Sequence, residues 1–233
     1  MNVIAHRGGG SFGAENSIGA IESSLAAGAD GVEIDVRLSA DGTVVLLHDP
    51  DVGRTTSGHG RVAEMTFDEL RSLGVPSLAE VLERVPADRL LIVELKGHPW
   101  EAGHDPSEPL AHAVAAIVSG AARRLVVSSF NPMALHVIRE RAAGVPTALL
   151  TSAAFDLASN LAAVVAGGHD ECHVPADLVD AVFVTAAHAA GKRVVAWTVN
   201  DPEQIRGCAA DGVDGIITDD PRGARAALGE QRE

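Results

Sequence analysis

The chain contains no tyrosine, and its few phenylalanines and tryptophans bring aromatic content to only 3%. A core poor in rings has to be assembled from aliphatic side chains. Alanine, valine, leucine and isoleucine supply it, with hydrophobic residues making up 46% of 233 positions. Cysteine is nearly absent as well. Cys172 and Cys208 are too few for a disulfide framework and fall in different expected elements, so both read as small buried apolar residues. Cationic side chains are scarce: 18 Lys and Arg face 32 Asp and Glu, for a formal net charge of −14. That balance argues against nucleic acid as a partner and against a polybasic hold on a membrane. An anionic small molecule stays compatible if a local positive site overcomes the general field. No uninterrupted run of about 18 apolar residues occurs, so no transmembrane helix and no stable membrane insertion are expected. The opening "MNVIAHRGG" goes straight into a strand-like run, without a basic n-region or an apolar h-region, and the expected compartment is the cytoplasm.

What the chain does have is alternation. Eight short β-rich runs, at 3–5, 32–36, 90–95, 125–129, 147–150, 171–174, 193–197 and 215–218, are separated by Ala- and Leu-rich segments. Ile18, Ile21 and Leu25 recur at helical spacing, and so do Leu78, Val81, Leu82 and Val85. The latter follow "SLAE" at 77–80, a capping box. Asn131-Pro132, Asp201-Pro202 and Asp220-Pro221 are each an N-cap followed by a proline at the first helical position. Gly28, Gly144, Gly191 and Gly212 close helical runs just before the next strand. Eight β-then-α units in one chain of this length predict an α/β fold, the TIM (β/α)8 barrel, as a single domain over 1–233. A doubly wound open sheet would have no reason for an eighth strand. One segment breaks the pattern: 49–75 is polar, glycine-rich and long for a βα loop. It follows the second strand, so it is expected over the C-terminal face of the barrel.

The polar residues gather at strand ends. Strand one ends in His6-Arg7, and strand two carries Glu33 and Asp35. A hairpin turn at Asp41-Gly42 returns the chain to His48-Asp49. Strand three ends with Glu94 and Lys96, strand four at Ser128-Ser129, strand seven at Trp197-Thr198 and strand eight at Asp219-Asp220. Residues at i and i+2 share a strand face, so Glu33 pairs with Asp35 and Glu94 with Lys96. A barrel collects these ends into one cluster. Three converging carboxylates repel one another unless a cation joins them, and hard oxygen donors suit Mg²⁺ or Ca²⁺ better than zinc. Arg7 and Lys96 suit phosphate oxygens, and His6 and His48 can take and give protons near neutral pH. Together these groups suit cleavage of a phosphate ester.

The strings "AHRGGGSFGAENS", "GADGVEIDVRLSADGTVVLLHD", "GRTTSGHG", "VPSLAEVLERVP", "ELKG", "WTVN" and "DGIITDDP", in that order, resemble the glycerophosphodiester phosphodiesterase family. The resemblance runs from His6 to about Pro221. It implies a TIM barrel with a small insertion after the second strand, at about 49–75. It also implies metal-dependent hydrolysis of glycerophosphodiesters to glycerol 3-phosphate and an alcohol, with a divalent cation, Mg²⁺ or Ca²⁺, as cofactor. By the same resemblance Glu33, Asp35 and Glu94 look like metal ligands and His6 and His48 like the acid/base pair. Arg7 and Lys96 look like phosphate contacts, and Trp197 like a wall against the glycerol. The family's usual Pro-Glu-Asn is Ala14-Glu15-Asn16 here, which removes no chemical group. Glu15 is placed near the metal at most indirectly, and Asn16 or Ser17 caps the first helix.

Plainer roles are expected elsewhere. Arg37 is assigned a structural ion pair and Asp49 an orienting role, while Asp219 divides between holding a loop and catalysis. His59, His112, His136 and His188 are expected at the surface. The loop with His98, Trp100 and His104 could cover the site, but its histidines read as solvated. His173 ends strand six, close to the cluster by position alone. The rival activities are a phospholipase-D-like lyase leaving a cyclic phosphate, and a phosphosugar isomerase or aldolase on the same barrel. The latter would not need two strand-end histidines beside three carboxylates.

Overall fold

The computed structural model describes residues 1–101 and 103–230. Eight parallel strands close on themselves: β1 (Asn2–Ala5), β2 (Gly31–Leu38), β4 (Leu90–Leu95), β5 (Leu125–Ser129), β6 (Thr147–Leu150), β7 (Glu171–Pro175), β8 (Arg193–Trp197) and β9 (Gly215–Thr218). β1 pairs with both β2 and β9, which closes the ring. The short β3 (Val44–Leu46) is not part of the wall. It returns antiparallel along the outer end of β2, with Val36 opposite Leu46 and Leu38 opposite Val44. The fold is the expected TIM barrel, and four strands have the bounds read from sequence plus a fifth, β9. Differences are confined to extensions, chiefly β2, which runs on to Leu38 because the hairpin gives it a partner.

Alternation along each strand separates two cores. In β2, Val32, Ile34 and Val36 pack outward with Ile21 of α1 (Ile18–Ala26) and Leu78 and Val81 of α3 (Leu78–Arg84). Inside the barrel, Ile4, Ile92, Val126, Ala148, Val195 and Ile217 form an apolar floor. The polar inward residues lie above it, toward the C-terminal ends of the strands. Gly31 is required where β2 begins, because a Cβ there would sit 2.3 Å from the Leu90 carbonyl oxygen of the neighbouring strand.

Helix starts follow their caps. Ser17, Ser77, Asn131, Asp201 and Asp220 each accept a backbone N–H from the first turn of the helix they precede. Ser17, not Asn16, caps α1. Segment 49–75, expected as a polar loop, is folded around a core of its own. Val45, Leu47, Val52, Val62, Leu70 and Val75 are buried together. A short helix, α2 (Phe67–Ser72), starts from a capping box at Thr66 and Glu69. Phe67, Leu70 and Leu73 recur at helical spacing along α2, whereas Val52 and Val62 stand among glycines and charges and join them only in three dimensions. No helix among the described residues is long and apolar enough to cross a membrane.

Candidate active site

The turn after β1 is built on left-handed backbone. Arg7 has φ 52° and Gly8 φ 81°. A Cβ on Gly8 would lie 2.8 Å from Ile21 Cγ1, so only glycine lets α1 pack this closely. A non-glycine residue at positive φ costs about 1 kcal/mol or more. What it achieves here is placement: the Arg7 N–H donates to Glu33 Oε2 at 2.9 Å. Asn16, also left-handed at φ 55°, holds Asp35 by both its side chain and its backbone. Its Nδ2 donates to Asp35 Oδ2 at 2.9 Å, and its Oδ1 accepts from the Asp35 backbone N–H at 3.0 Å.

Glu33, Asp35 and Glu94 converge as expected. One oxygen from each lies within 4.8 Å of the others. The three residues are 3%, 1% and 8% exposed. Burial, reinforced by the charge of Asp35, pushes the Glu33 carboxyl up from the ordinary range. Burial also raises Glu94, against the opposing pull of Lys96. Burial acts on Asp35 in the same sense, but Lys96, with Nζ 2.8 Å from Oδ1, outweighs it and the net shift is downward. Burial alone would lower Lys96; Glu94 and Asp35, both bonded to it, hold it above the ordinary lysine value. One ammonium therefore serves two carboxylates and leaves the third, Glu33, uncompensated. Its Oε1 is buried with no hydrogen-bond partner. An orphaned carboxylate oxygen beside two further oxygen donors fits a hard divalent cation. With no His or Cys in the trio, a tetrahedral zinc centre fits poorly.

The two histidines share one design. His6 Nδ1 lies 2.7 Å from Asp219 Oδ1, and His48 Nδ1 lies 2.7 Å from Asp49 Oδ1. A carboxylate only accepts, so each Nδ1 carries the hydrogen and each Nε2 is left as the acceptor. Arg7 Nε donates to His6 Nε2 at 3.2 Å. Both carboxylates are held in turn. Asn200 donates to Asp219 Oδ2 at 2.6 Å, and Arg54 from the insertion binds Asp49. The Arg54 bond pulls the Asp49 carboxyl down to about 2. Burial lowers the His6 pKa, but the Asp219 bond and the charge of Glu33 more than reverse it, and the net shift is upward. Burial and then Lys96 lower His48. Asp219 and Asp49 are thus orienting partners.

The remaining expectations divide. His6, Arg7, Glu33, His48, Glu94, Lys96 and Trp197 all border one pocket of about 140 Å³, with Asp35 just behind it. Trp197 meets Phe130 edge-on at 5.7 Å. Arg37 is structural as expected, donating to the His48 carbonyl at 2.9 Å and pairing with Glu101. Glu15 bridges Arg7 to Arg54, tying the first loop to the insertion. His59, His112, His136 and His188 are exposed. His98 is a correction. It is buried, not solvated, because it stacks on Trp100 at 4.7 Å and meets the edge of Phe130 at 5.4 Å. Burial pushes its pKa down to about 4. His104 is half-buried, its Nδ1 3.1 Å from the Gly97 carbonyl. Asn16 and Phe130 were not legible as site residues. Their only sequence signal is position, in the first loop and one residue past the end of β5.

The sequence profile of the Glycerophosphoryl diester phosphodiesterase family matches residues 6–222. The chain is 32% identical over 241 residues to the glycerophosphodiester phosphodiesterase of Caldanaerobacter subterraneus, covering 94% of each chain. The crystal structure of the glycerophosphodiester phosphodiesterase of Thermotoga maritima superposes with a TM-score of 0.80 at 30% identity, over 95% of this chain and 96% of that one. An Oleispira antarctica phosphodiesterase, solved in complex with the product sn-glycerol-3-phosphate, superposes with a TM-score of 0.87 at 26% identity. That match covers 98% of this chain and 97% of the other.

Proposed function

The chain belongs to the glycerophosphoryl diester phosphodiesterase family and is an enzyme of that activity; from that premise we propose that it hydrolyses glycerophosphodiesters to glycerol 3-phosphate and an alcohol, with one divalent cation held by Glu33, Asp35 and Glu94 and with His6 and His48 as its acid–base pair. The observation that carries this reading is the buried carboxylate trio with its orphaned Glu33 oxygen, beside two imidazoles that present their Nε2 atoms. Bound there, Mg²⁺ or Ca²⁺ would neutralise charge on the phosphoryl group. Residues 1–233 act as one catalytic domain, with the insertion of about 49–75 supplying Arg54.

The protein's own groups do the rest. Arg7 and Lys96 border the pocket and offer N–H donors to the other phosphoryl oxygens. One imidazole Nε2 removes the proton from the attacking hydroxyl, either water, which gives glycerol 3-phosphate directly, or the neighbouring glycerol hydroxyl, which gives a cyclic phosphate that water then opens. The other returns a proton to the alcohol oxygen as the P–O bond breaks. Asp219 and Asp49 keep both rings in the tautomer this requires. Trp197 and Phe130 form the apolar wall for the glycerol carbons.

The test is replacement of each histidine. His6→Ala and His48→Ala should each lower kcat/KM on glycerophosphocholine by about 10²–10⁴-fold. Near wild-type turnover by either variant would sink the assignment. Phosphorus NMR of the wild-type product should end at glycerol 3-phosphate; a cyclic phosphate as the final product would mean a lyase.

A further inference from the structure

The insertion contributes one charged side chain that reaches the site from outside the pocket. Arg54 ends a single turn of 3-10 helix, Val52–Arg54. The turn is rooted at its other end. Val52 is fully buried in the small separate core, and its N–H donates to the Gly60 carbonyl at 3.1 Å. The N–H and the hydroxyl of Thr56 both donate to the Val52 carbonyl. Arg54 therefore starts from a fixed backbone, although its side chain is 47% exposed. From there its guanidinium divides between carboxylates on two separate segments. Nη1 donates to Glu15 Oε2 at 2.8 Å and Nη2 to Glu15 Oε1 at 2.6 Å, a two-point fork. Its Nε donates to Asp49 Oδ2. Each carboxylate holds a second group. Glu15 Oε1 accepts from Arg7 Nη1 at 3.2 Å, and Asp49 Oδ1 accepts from His48 Nδ1 at 2.7 Å. One guanidinium thus anchors two relays, one to a cation that borders the pocket and one to an imidazole.

Ionisation is not what this fork supplies. Arg54 pulls the Glu15 carboxyl down, and Asp49 to about 2, but carboxyls with ordinary values are charged at neutral pH as well. Nor is it stability, because ion pairs on side chains this exposed add little to folding. What remains is direction. A planar guanidinium fixes two carboxylates at set angles to one another, which a point-like ammonium cannot do.

We propose that Arg54 is the positioning residue shared by both arms of the site: through Glu15 it aims Arg7 at the phosphoryl group, and through Asp49 it sets the angle of the His48 ring. This rests on the phosphodiesterase reading and extends it to a residue that touches no substrate. The two arms do different work, so they separate in the kinetics. The aim of Arg7 governs phosphate binding and is read in KM; the angle of His48 governs proton transfer and is read in kcat.

The experiment measures kcat, KM and Tm for metal-loaded wild type, Glu15→Gln, Asp49→Asn, Arg54→Ala and Arg54→Lys, with glycerophosphocholine as substrate. Glu15→Gln should raise KM about tenfold with kcat near wild type, and Asp49→Asn should lower kcat about 10–100-fold with KM near wild type. Arg54→Ala should show both changes at a Tm close to wild type. Arg54→Lys, a single point donor facing two carboxylates, should relieve at most one of them. Guanidinium chloride far below denaturing concentration should restore part of the turnover of Arg54→Ala, and sodium chloride at equal ionic strength should not. Both constants near wild type in Arg54→Ala, or a loss that guanidinium leaves unrelieved, would overturn the proposal. Should Arg54→Ala fail to fold, Arg54→Lys carries the test, and wild-type values for both of its constants would overturn it. Each of these results leaves the phosphodiesterase reading intact. Absence of turnover by the wild type would overturn both.

Discussion

At the scale of single residues, the site is a set of polar groups each held by another. His6 depends on Asp219, His48 on Asp49, and Asp35 on Asn16. These second partners decide what the first ones do. The Asp219 bond offsets the burial that would otherwise depress His6, and so holds its imidazolium above the ordinary histidine value. Removing the anionic partner disfavours the charged ring, so in Asp219→Asn the His6 titration should move to lower pH, with kcat falling about 10–100-fold and KM changing little. NMR titration of the His6 ring checks this, and an unmoved midpoint would contradict it. The principal residues were legible because their types and spacing are unusual: Glu-x-Asp inside a strand, and Glu-x-Lys at the end of another. Asn16 was not, because its partner Asp35 is 19 positions away and the left-handed backbone that lets it reach leaves no mark beyond the residue type.

At the scale of elements, the hairpin and the insertion do the positioning. β3 returns the chain so that His48 meets the pocket, and Arg37 ties the His48 carbonyl to the loop carrying Glu101. Segment 49–75 rests on Leu70, which is fully buried in the small separate core. Leu70→Ala should cost about 2–4 kcal/mol within that unit. Native-state hydrogen exchange is the check: amides of 62–75 should lose protection while those of β4 and β5 keep theirs. Uniform loss throughout the barrel would mean that the insertion is not a separable unit. Caps are worth less. Ser77→Ala removes two hydroxyl bonds to Glu80, one accepted from its backbone N–H and one donated to its carboxylate, and should cost about 1 kcal/mol, or roughly 2–4 °C in Tm. The caps were readable in sequence because they are local. The insertion carries local signals only at α2, in its capping box and the spacing of Phe67, Leu70 and Leu73; Val45, Leu47, Val52 and Val62 join that core by tertiary contact, which no local pattern marks.

At the scale of the whole molecule, the barrel follows from the alternation of strand-like and helical runs along the chain. Eight strands each needed a helix to cover their outer face, and a closed ring leaves no strand edge unpaired. One consequence of burial reaches all of it. His169, at the opposite end of the barrel from the pocket, is 2% exposed and bonded to Thr147 Oγ1 at 3.1 Å. Burial, then the charge of Arg139, pushes its pKa down to about 4. The unfolded chain takes up this proton near pH 6.5 and the folded chain only near 4, so stability is full above about pH 6.5 and falls as pH drops through that interval. His98 acts in the same sense. His169→Gln should therefore lose less Tm than wild type between pH 7 and pH 5, by roughly 2–4 °C. Parallel Tm profiles would contradict the assignment. The variant-minus-wild-type difference isolates this group from the carboxylates, which titrate in both proteins.

On the proposed mechanism, phosphodiester hydrolysis requires a divalent cation held by Glu33, Asp35 and Glu94. Its most direct test is the turnover of glycerophosphocholine by protein stripped with EDTA and then titrated with Mg²⁺ or Ca²⁺. The stripped enzyme should be inactive, and one of the two ions should restore turnover at about one equivalent per chain. Full activity in protein holding far less than one equivalent of metal would contradict the account.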